Sequence, residues 1–222
     1  MLFIVAGFAR VSPRYAPRHK DIAMELDHFA IAAPTLSEAT AYVEEALGVP
    51  LQPGGAHQVF GTHNRLLGLA EGLYLEAIAI DPEATPERQP RWFDLDRFEG
   101  AARISNWICR STDLEADLAA LPVEAGTPVA LTRGDLAWQM AVPATGCLPF
   151  DNVFPALMRW QGPHPAPRLT QQGCSLRRLV VAHPEARALA EMLPLRDARV
   201  VFELGPAALR AEIDTPHGLR HL

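Results

Sequence analysis

Lysine is almost absent. Of the 20 basic side chains only Lys20 is a lysine, and it lies upstream of the first regular pattern in the chain. A body without lysine excludes the Gly-Lys-Ser/Thr phosphate loop, Schiff-base chemistry with pyridoxal phosphate, and lysine general bases. Cysteine is scarce too. Cys109, Cys147 and Cys174 are too few, too far apart and of the wrong parity for a disulfide framework or a thiolate zinc site, and they read as reduced thiols of a cytoplasmic protein. The longest apolar run near the N-terminus, Met1 to Ala9, is too short to span a membrane, and no basic residue precedes it as a signal peptide requires. Positive charge in excess is missing as well. The net charge is -6 and the arginines are scattered, so neither nucleic acid nor a membrane is the expected partner.

What is present is an ordinary globular composition, with 222 residues of which 49% are hydrophobic, enough for a sizeable core. Residues 1–23 carry no periodic pattern and read as an extension outside the fold. From Met24 one unit recurs. Leu26 to Ala33 alternates like a strand, Pro34 and Thr35 break it, and Ser37 to Gly48 follows as a helix with apolar Ala39, Val43, Ala46 and Leu47. The same strand-then-helix pattern returns at Ile104 to Leu121, offset by 78, and at Leu176 to Leu193, offset by 150. After the first helix come strand-like runs at Gln58 to Thr62, His63 to Leu69 and Leu73 to Ile80; after the second, Val129 to Thr132, Ala137 to Val142 and Val153 to Trp160. After the third come only Arg199 to Leu204 and Leu209 to Asp214, a shortened copy. Asp81 to Gly100 and Gln161 to Gln172 read as linkers. The expectation is an α+β domain over 24–222, with βαβββ modules at about 24–82 and 102–161 and a partial third at about 174–216.

A period-2 count sorts the strand faces. Asp27, Phe29 and Ile31 share one side of the first strand, the natural partner of the helix, which leaves His28 over a floor of alanines on the other. In Leu73 to Ile80, Glu76 shares its face with Tyr74, Ile78 and Ile80. A carboxylate there is costly unless it is paired, protonated or bound to a cation. One histidine and one glutamate on neighbouring concave faces are half of a metal site with mixed nitrogen and oxygen ligands. The aromatics Trp107, Trp138, Phe150 and Trp160 read as core, and His183, His217 and His221 as solvated.

Leu26-Asp27-His28-Phe29, the Gly54-Gly55-Ala56-His57 loop, Gly61-Thr62-His63-Asn64 and Leu73-Tyr74-Leu75-Glu76 resemble the first module of glyoxalase-like proteins of the vicinal oxygen chelate superfamily. Leu148-Pro149-Phe150, Arg159-Trp160 and His164-Pro165 resemble the second half of the same branch. The resemblance implies modules curled into a half-open mixed sheet around a U-shaped cavity, with helices outside and often a divalent metal that binds vicinal oxygens of a small-molecule substrate. His28 and Glu76 match the first pair of the superfamily's metal ligands. The second module departs from the pattern, with Asn106 in place of the histidine and Met158-Arg159 in place of the acid, while the third offers Arg178 and Glu212.

Two constructions of the site follow. One is a metal site of His28, Glu76 and Glu212, completed by His57 or His63 and water, with Glu76 or Glu212 moving a proton. The other holds an anionic ligand through Arg178, Arg133 or Arg159 without a metal. The resemblance adds His57 and Asn64 near the cavity. The expected function is a divalent-metal-assisted lyase or isomerase, with a homodimer as the expected assembly. The rivals are a non-catalytic drug-binding protein and an extradiol-type dioxygenase, which needs two histidines and one carboxylate on iron.

Overall fold

The computed structural model describes residues 24–222, so the extension at 1–23, Lys20 included, lies outside the described residues. The first module begins with β1 (Glu25–Ala32) and α1 (Leu36–Leu47), followed by β2 (Gln52–His57), β3 (Thr62–Gly68) and β4 (Tyr74–Ile80). The helix starts where it does because Thr35 accepts from the Glu38 backbone while the Glu38 side chain returns to the Thr35 backbone, a reciprocal cap. It stops at Gly48, whose φ of 72° belongs to the left-handed region that glycine enters without a steric penalty. Its buried stripe of Ala39, Val43 and Leu47 recurs at every fourth residue and packs on the outer face of the sheet.

The second module repeats the order with β5 (Arg103–Arg110), α2 (Leu114–Ala120), β6 (Thr127–Arg133), β7 (Leu136–Val142) and β8 (Ala156–Trp160). Together the two modules make one eight-stranded sheet in the order β2-β3-β4-β1-β5-β8-β7-β6. The seam is the antiparallel pair of β1 and β5, while β1 with β4 and β5 with β8 are parallel. The sheet curls until its two edges meet, and Arg133 at the end of β6 donates to His57 of β2 and Asn64 of β3. This is the half-open curled mixed sheet that the repeat pattern and the resemblance implied.

The third unit contains β9 (Ser175–Ala182), α3 (Ala186–Met192), β10 (Val200–Glu203), β11 (Ala208–Thr215) and β12 (Gly218–His221). It is longer by one strand than the sequence suggested, because Pro216-His217 turns the chain back into β12. It also pairs differently, as a separate four-stranded sheet in the order β10-β9-β11-β12. It packs outside the curled sheet, where Phe202 meets the fully buried Trp107 edge-on at 6.2 Å. Trp107 points away from the cavity and donates its indole N–H to the Val153 carbonyl, as its odd position in β5 predicted.

The sequence reading missed β2, placing a strand at Gln58 to Thr62 where the chain makes a turn. Proline and two adjacent glycines argue against a strand. The structure explains the glycines: a Cβ at Gly54 would lie 2.0 Å from Asn64 Oδ1, and one at Gly55 would lie 2.7 Å from Arg133 Cδ.

Candidate active site

The inner face of the curled sheet holds a small cavity of about 30 Å³. Strand registers decide which side chains enter it. His28 pairs with Tyr74 and Ala30 with Glu76, so the even-numbered residues of β1 and β4 share the inner face. Leu66 pairs with Glu76 and Asn64 with Ile78, which brings Asn64 to the same side. Across the seam, Trp138, Met140, Met158 and Trp160 complete the wall.

The polar centre is a chain of buried charges. Glu76 is 5% exposed, and its Oε1 accepts from Asn64 Nδ2 while its Oε2 lies 3.6 Å from His28 Nε2. His28 stacks on Tyr74 at 4.2 Å, and its Nδ1 lies 2.6 Å from Asp27 Oδ1. Asp27 is fully buried, and its Oδ2 accepts from the Trp160 indole at 3.0 Å and from His164 Nε2 at 3.0 Å. The tautomer of His164 follows from its partners: Nδ1 accepts the Ala166 backbone N–H, so Nε2 carries the proton given to Asp27. Burial favours the neutral form of Asp27, but the hydrogen bonds from His164 and His28 and their positive charge hold it ionised, well below the usual carboxylate range.

Burial would strip the proton from His28, but the hydrogen bonds and charges of Asp27 and Glu76 outweigh it and raise its pKa to about 9. Glu76 shows the mirror image. Burial favours its neutral form, yet the His28 and Asn64 hydrogen bonds and the neighbouring positive charge bring it down to about 2. Tyr74, buried against both carboxylates, is raised well above its ordinary value and stays a neutral donor.

His57 differs from His28. Burial lowers its pKa to about 4, so it is neutral at pH 7. Both of its ring nitrogens are engaged, Nδ1 with Thr62 Oγ1 at 3.0 Å and Nε2 with the Arg133 guanidinium at 3.2 Å.

Of the residues expected in the site, His28, Glu76, His57, Asn64 and Arg133 are thus brought together. Others are not. His63 is on the outer face of β3, half-buried, 4.0 Å from Asp81. Arg159 is exposed on the outer face of β8 beside Gln139. Glu212 and Arg178 face each other across β11 and β9 in the second sheet, with Arg178 Nε 3.4 Å from Glu212 Oε1. The third unit meets the first where His217 reaches Gly48 and Arg199 pairs with Glu71, not at the cavity, so Glu212 does not join His28 and Glu76. Asn106 lies on the inner face opposite Ala30, fully buried, with neither side-chain atom partnered among the described residues.

A resident divalent ion is not supported by this donor set. His28 and Glu76 supply two donors where such ions ordinarily take three or more protein ligands, and among the described residues no group of three or more His, Cys, Asp or Glu could hold one. The two-histidine iron set is also unassembled, because both His57 nitrogens are occupied and His63 faces outward.

Sequence reasoning missed Asp27, Tyr74, Trp92 and His164 and gave Trp138 and Trp160 to the core. Asp27 is the instructive case. The β1–β5 register skips from Leu26 to His28, and this irregularity lets adjacent side chains bond to each other. Trp92 comes from a 3-10 segment, Trp92–Arg97, inside the expected linker. His183, expected in solvent, is buried beside Phe150 and Asp151.

A family model described as a glyoxalase-like domain matches residues 26–196. No curated protein matches. Among solved structures, a hypothetical protein from Staphylococcus aureus is 15% identical, covering 83% of this chain and 87% of its own, with a TM-score of 0.59. The Mn(II)-bound glyoxalase from Novosphingobium aromaticivorans is 9% identical over 90% of this chain and 82% of its own, with a TM-score of 0.46. Methylmalonyl-CoA epimerase from Mycobacterium tuberculosis is 22% identical over 61% and 85%, with a TM-score of 0.39. At 15% identity the likeness to the Staphylococcus aureus protein speaks to the fold alone.

Proposed function

The chain belongs to the glyoxalase-like domain family, and from that premise we propose that it is a small-molecule enzyme that moves a proton on a substrate with adjacent oxygens, an isomerase or lyase. The carrying observation is the state of His28. Asp27 holds its Nδ1, while Nε2 looks into the cavity with Glu76 Oε2 at 3.6 Å and Tyr74 Oη at 3.5 Å. Both contacts are long and therefore weak for hydrogen bonds, so a ligand oxygen can displace them and take that N–H.

A carbonyl oxygen placed there accepts from His28 Nε2 and from the Tyr74 hydroxyl. The adjacent C–H gives its proton to Glu76 Oε2, its electron pair moves onto the oxygen, and the resulting enolate is stabilised by the same two donors. On a 2-hydroxy carbonyl substrate, passage of the hydroxyl proton to the enolate oxygen and return of the Glu76 proton to the former carbonyl carbon is an isomerisation; loss of a leaving group with its bonding pair from the carbon on the far side of the deprotonated one, as the carbonyl re-forms, is an elimination. Glu76 at about 2 is a weak base in the empty cavity. Once the ligand takes the His28 N–H, the carboxylate loses the partner that depresses it and becomes more basic. No step here uses a metal ion.

The test is deuterium incorporation from D2O, followed by NMR, into a panel of 2-oxo and 2-hydroxy carbonyl compounds. Wild type should exchange at least one of them at the carbon beside the carbonyl, and Glu76→Gln should lose at least about a hundredfold in rate. Ligands that raise the melting temperature while none exchanges would support the drug-binding rival instead.

A further inference from the structure

A cavity of about 30 Å³ holds roughly two water molecules, each needing about 10–15 Å³. A substrate with adjacent oxygens is larger, so part of the wall has to give way before it reaches His28 and Glu76. Most of the wall is fixed. Tyr74, Glu76, Trp138 and Met158 stand on strands that are paired on both sides. Trp92 and Phe93 do not. They are buried in the wall from the 3-10 segment Trp92–Arg97, which belongs to the connection between the two modules.

That segment is held in place at a cost. Phe93 (φ 60°) and Asp94 (φ 57°) lie in the left-handed region, which a Cβ disfavours. The Trp92 indole N–H is buried with no partner among the described residues, so it has given up water without a replacement. Swinging outward relieves both. The ion pairs of Arg91 with Asp96 and Arg97 with Asp94 join residues of the segment and its N-cap to one another, so they can travel with it. What ties the segment to the body is the Asp94 N–H to the Gly146 carbonyl at 2.9 Å, a long contact of 3.5 Å from the Asn152 amide to the Phe93 carbonyl, and the stack of Trp92 on Phe60 at 4.6 Å. Opening exposes two aromatic rings, which keeps the closed form the stable one. Phe93 also borders a second space. A crevice of about 300 Å³ runs between the curled sheet and the third unit, with Phe98, Arg103, Ile104, Val153 and Leu209 in its lining. Ligand pockets start at about that size.

Resting on the reading of the polar cavity as the active site, we propose that Trp92–Arg97 is a lid and Phe93 its gate. Substrate enters from the crevice through the place of the Phe93 ring, and the gap which that ring leaves limits what reaches His28 and Glu76.

A thiol on the cavity wall reports access without turnover. The full chain carrying Met140→Cys, with the half-buried Cys147 changed to serine and the buried Cys109 and Cys174 kept, is labelled with methyl methanethiosulfonate and followed by mass spectrometry. Adding Phe93→Ala should speed labelling of the introduced thiol at least about tenfold, and Pro165→Ala, elsewhere on the wall, by less than about twofold. Urea below the unfolding transition should leave the rate unchanged, as a local opening requires. Phe93→Leu, which refills most of the gap, should give an intermediate rate and carries the test where the alanine variant fails to fold. Without any substitution, NMR should find the Trp92 indole N–H exchanging with D2O at least about tenfold faster than that of Trp107, which is bonded to the Val153 carbonyl. Equal labelling with and without the Phe93 substitutions, labelling that follows global unfolding in urea, or equal exchange of the two indoles would overturn the proposal. Gated labelling without substrate deuteration in any compound would refute the enzymatic reading and leave the lid standing.

Discussion

Replacing Asp27 by asparagine removes a buried negative charge while keeping the side-chain shape. The amide oxygen can still accept from Trp160 and His164, but the amide nitrogen meets His28 Nδ1 as a donor, so His28 must present a lone pair there and lose its charge. In the native protein His28 rises from 6.5 to about 9, which at ~1.36 kcal/mol per pH unit is worth roughly 3 kcal/mol of stability. Because the folded value lies above the unfolded one, that stability is fully present below pH 6.5 and is lost as pH rises through 9. Asp27 and Glu76 share it. Asp27 makes the shorter contact, 2.6 Å against 3.6 Å, and once His28 is neutral the attraction to Glu76 goes with it, so all of this stability is lost in the variant. Urea unfolding of wild type and Asp27→Asn at pH 6 and pH 10 measures the difference. The gap should be about 3 kcal/mol larger at pH 6 than at pH 10, and NMR should find His28 charged at pH 7 in wild type and neutral in the variant. A gap independent of pH, or a wild-type His28 titrating near 6.5, would refute the charge chain.

Gly54→Ala should lower stability by about 1–3 kcal/mol, because the new methyl would lie 2.7 Å from the Asn64 backbone oxygen as well as 2.0 Å from its side chain; a melting temperature within a degree of wild type would contradict this. Glu212→Gln and Arg159→Gln should leave ligand affinity unchanged by titration calorimetry, since both lie outside the cavity, and a tenfold loss in either would relocate the site. Metal analysis of protein purified without chelator should find well below one ion per chain, and manganese, nickel, iron or zinc should not raise the melting temperature. One ion per chain lost in His28→Ala would restore the metal reading.

The alternation of β1 and β4 made His28 and Glu76 legible as inner-face neighbours, and the breakers around α1 marked its ends to within a residue. His63 and Asn64 are adjacent on a strand, so one had to face outward, and the register with β4 decides which. Asp27 was hidden because alternation assumes an unbroken ladder and the β1–β5 register skips it. Strand β2 was hidden for a different reason. Its Pro53-Gly54-Gly55 composition opposes a strand, but close approach by Asn64 and Arg133 requires glycines there. Glu212 was assigned to the site on the assumption that a third repeat packs like the first two. Its strands pair among themselves instead, and no residue pattern within the repeat reports that choice.

The most direct measurement follows deuterium incorporation catalysed by chelator-treated protein. Wild type is predicted to retain its exchange rate in chelator, and Glu76→Gln to lose at least about a hundredfold. Exchange abolished by chelator and restored by a divalent ion, or an unchanged rate in Glu76→Gln, would contradict a proton-transfer site built from Asp27, His28, Tyr74 and Glu76.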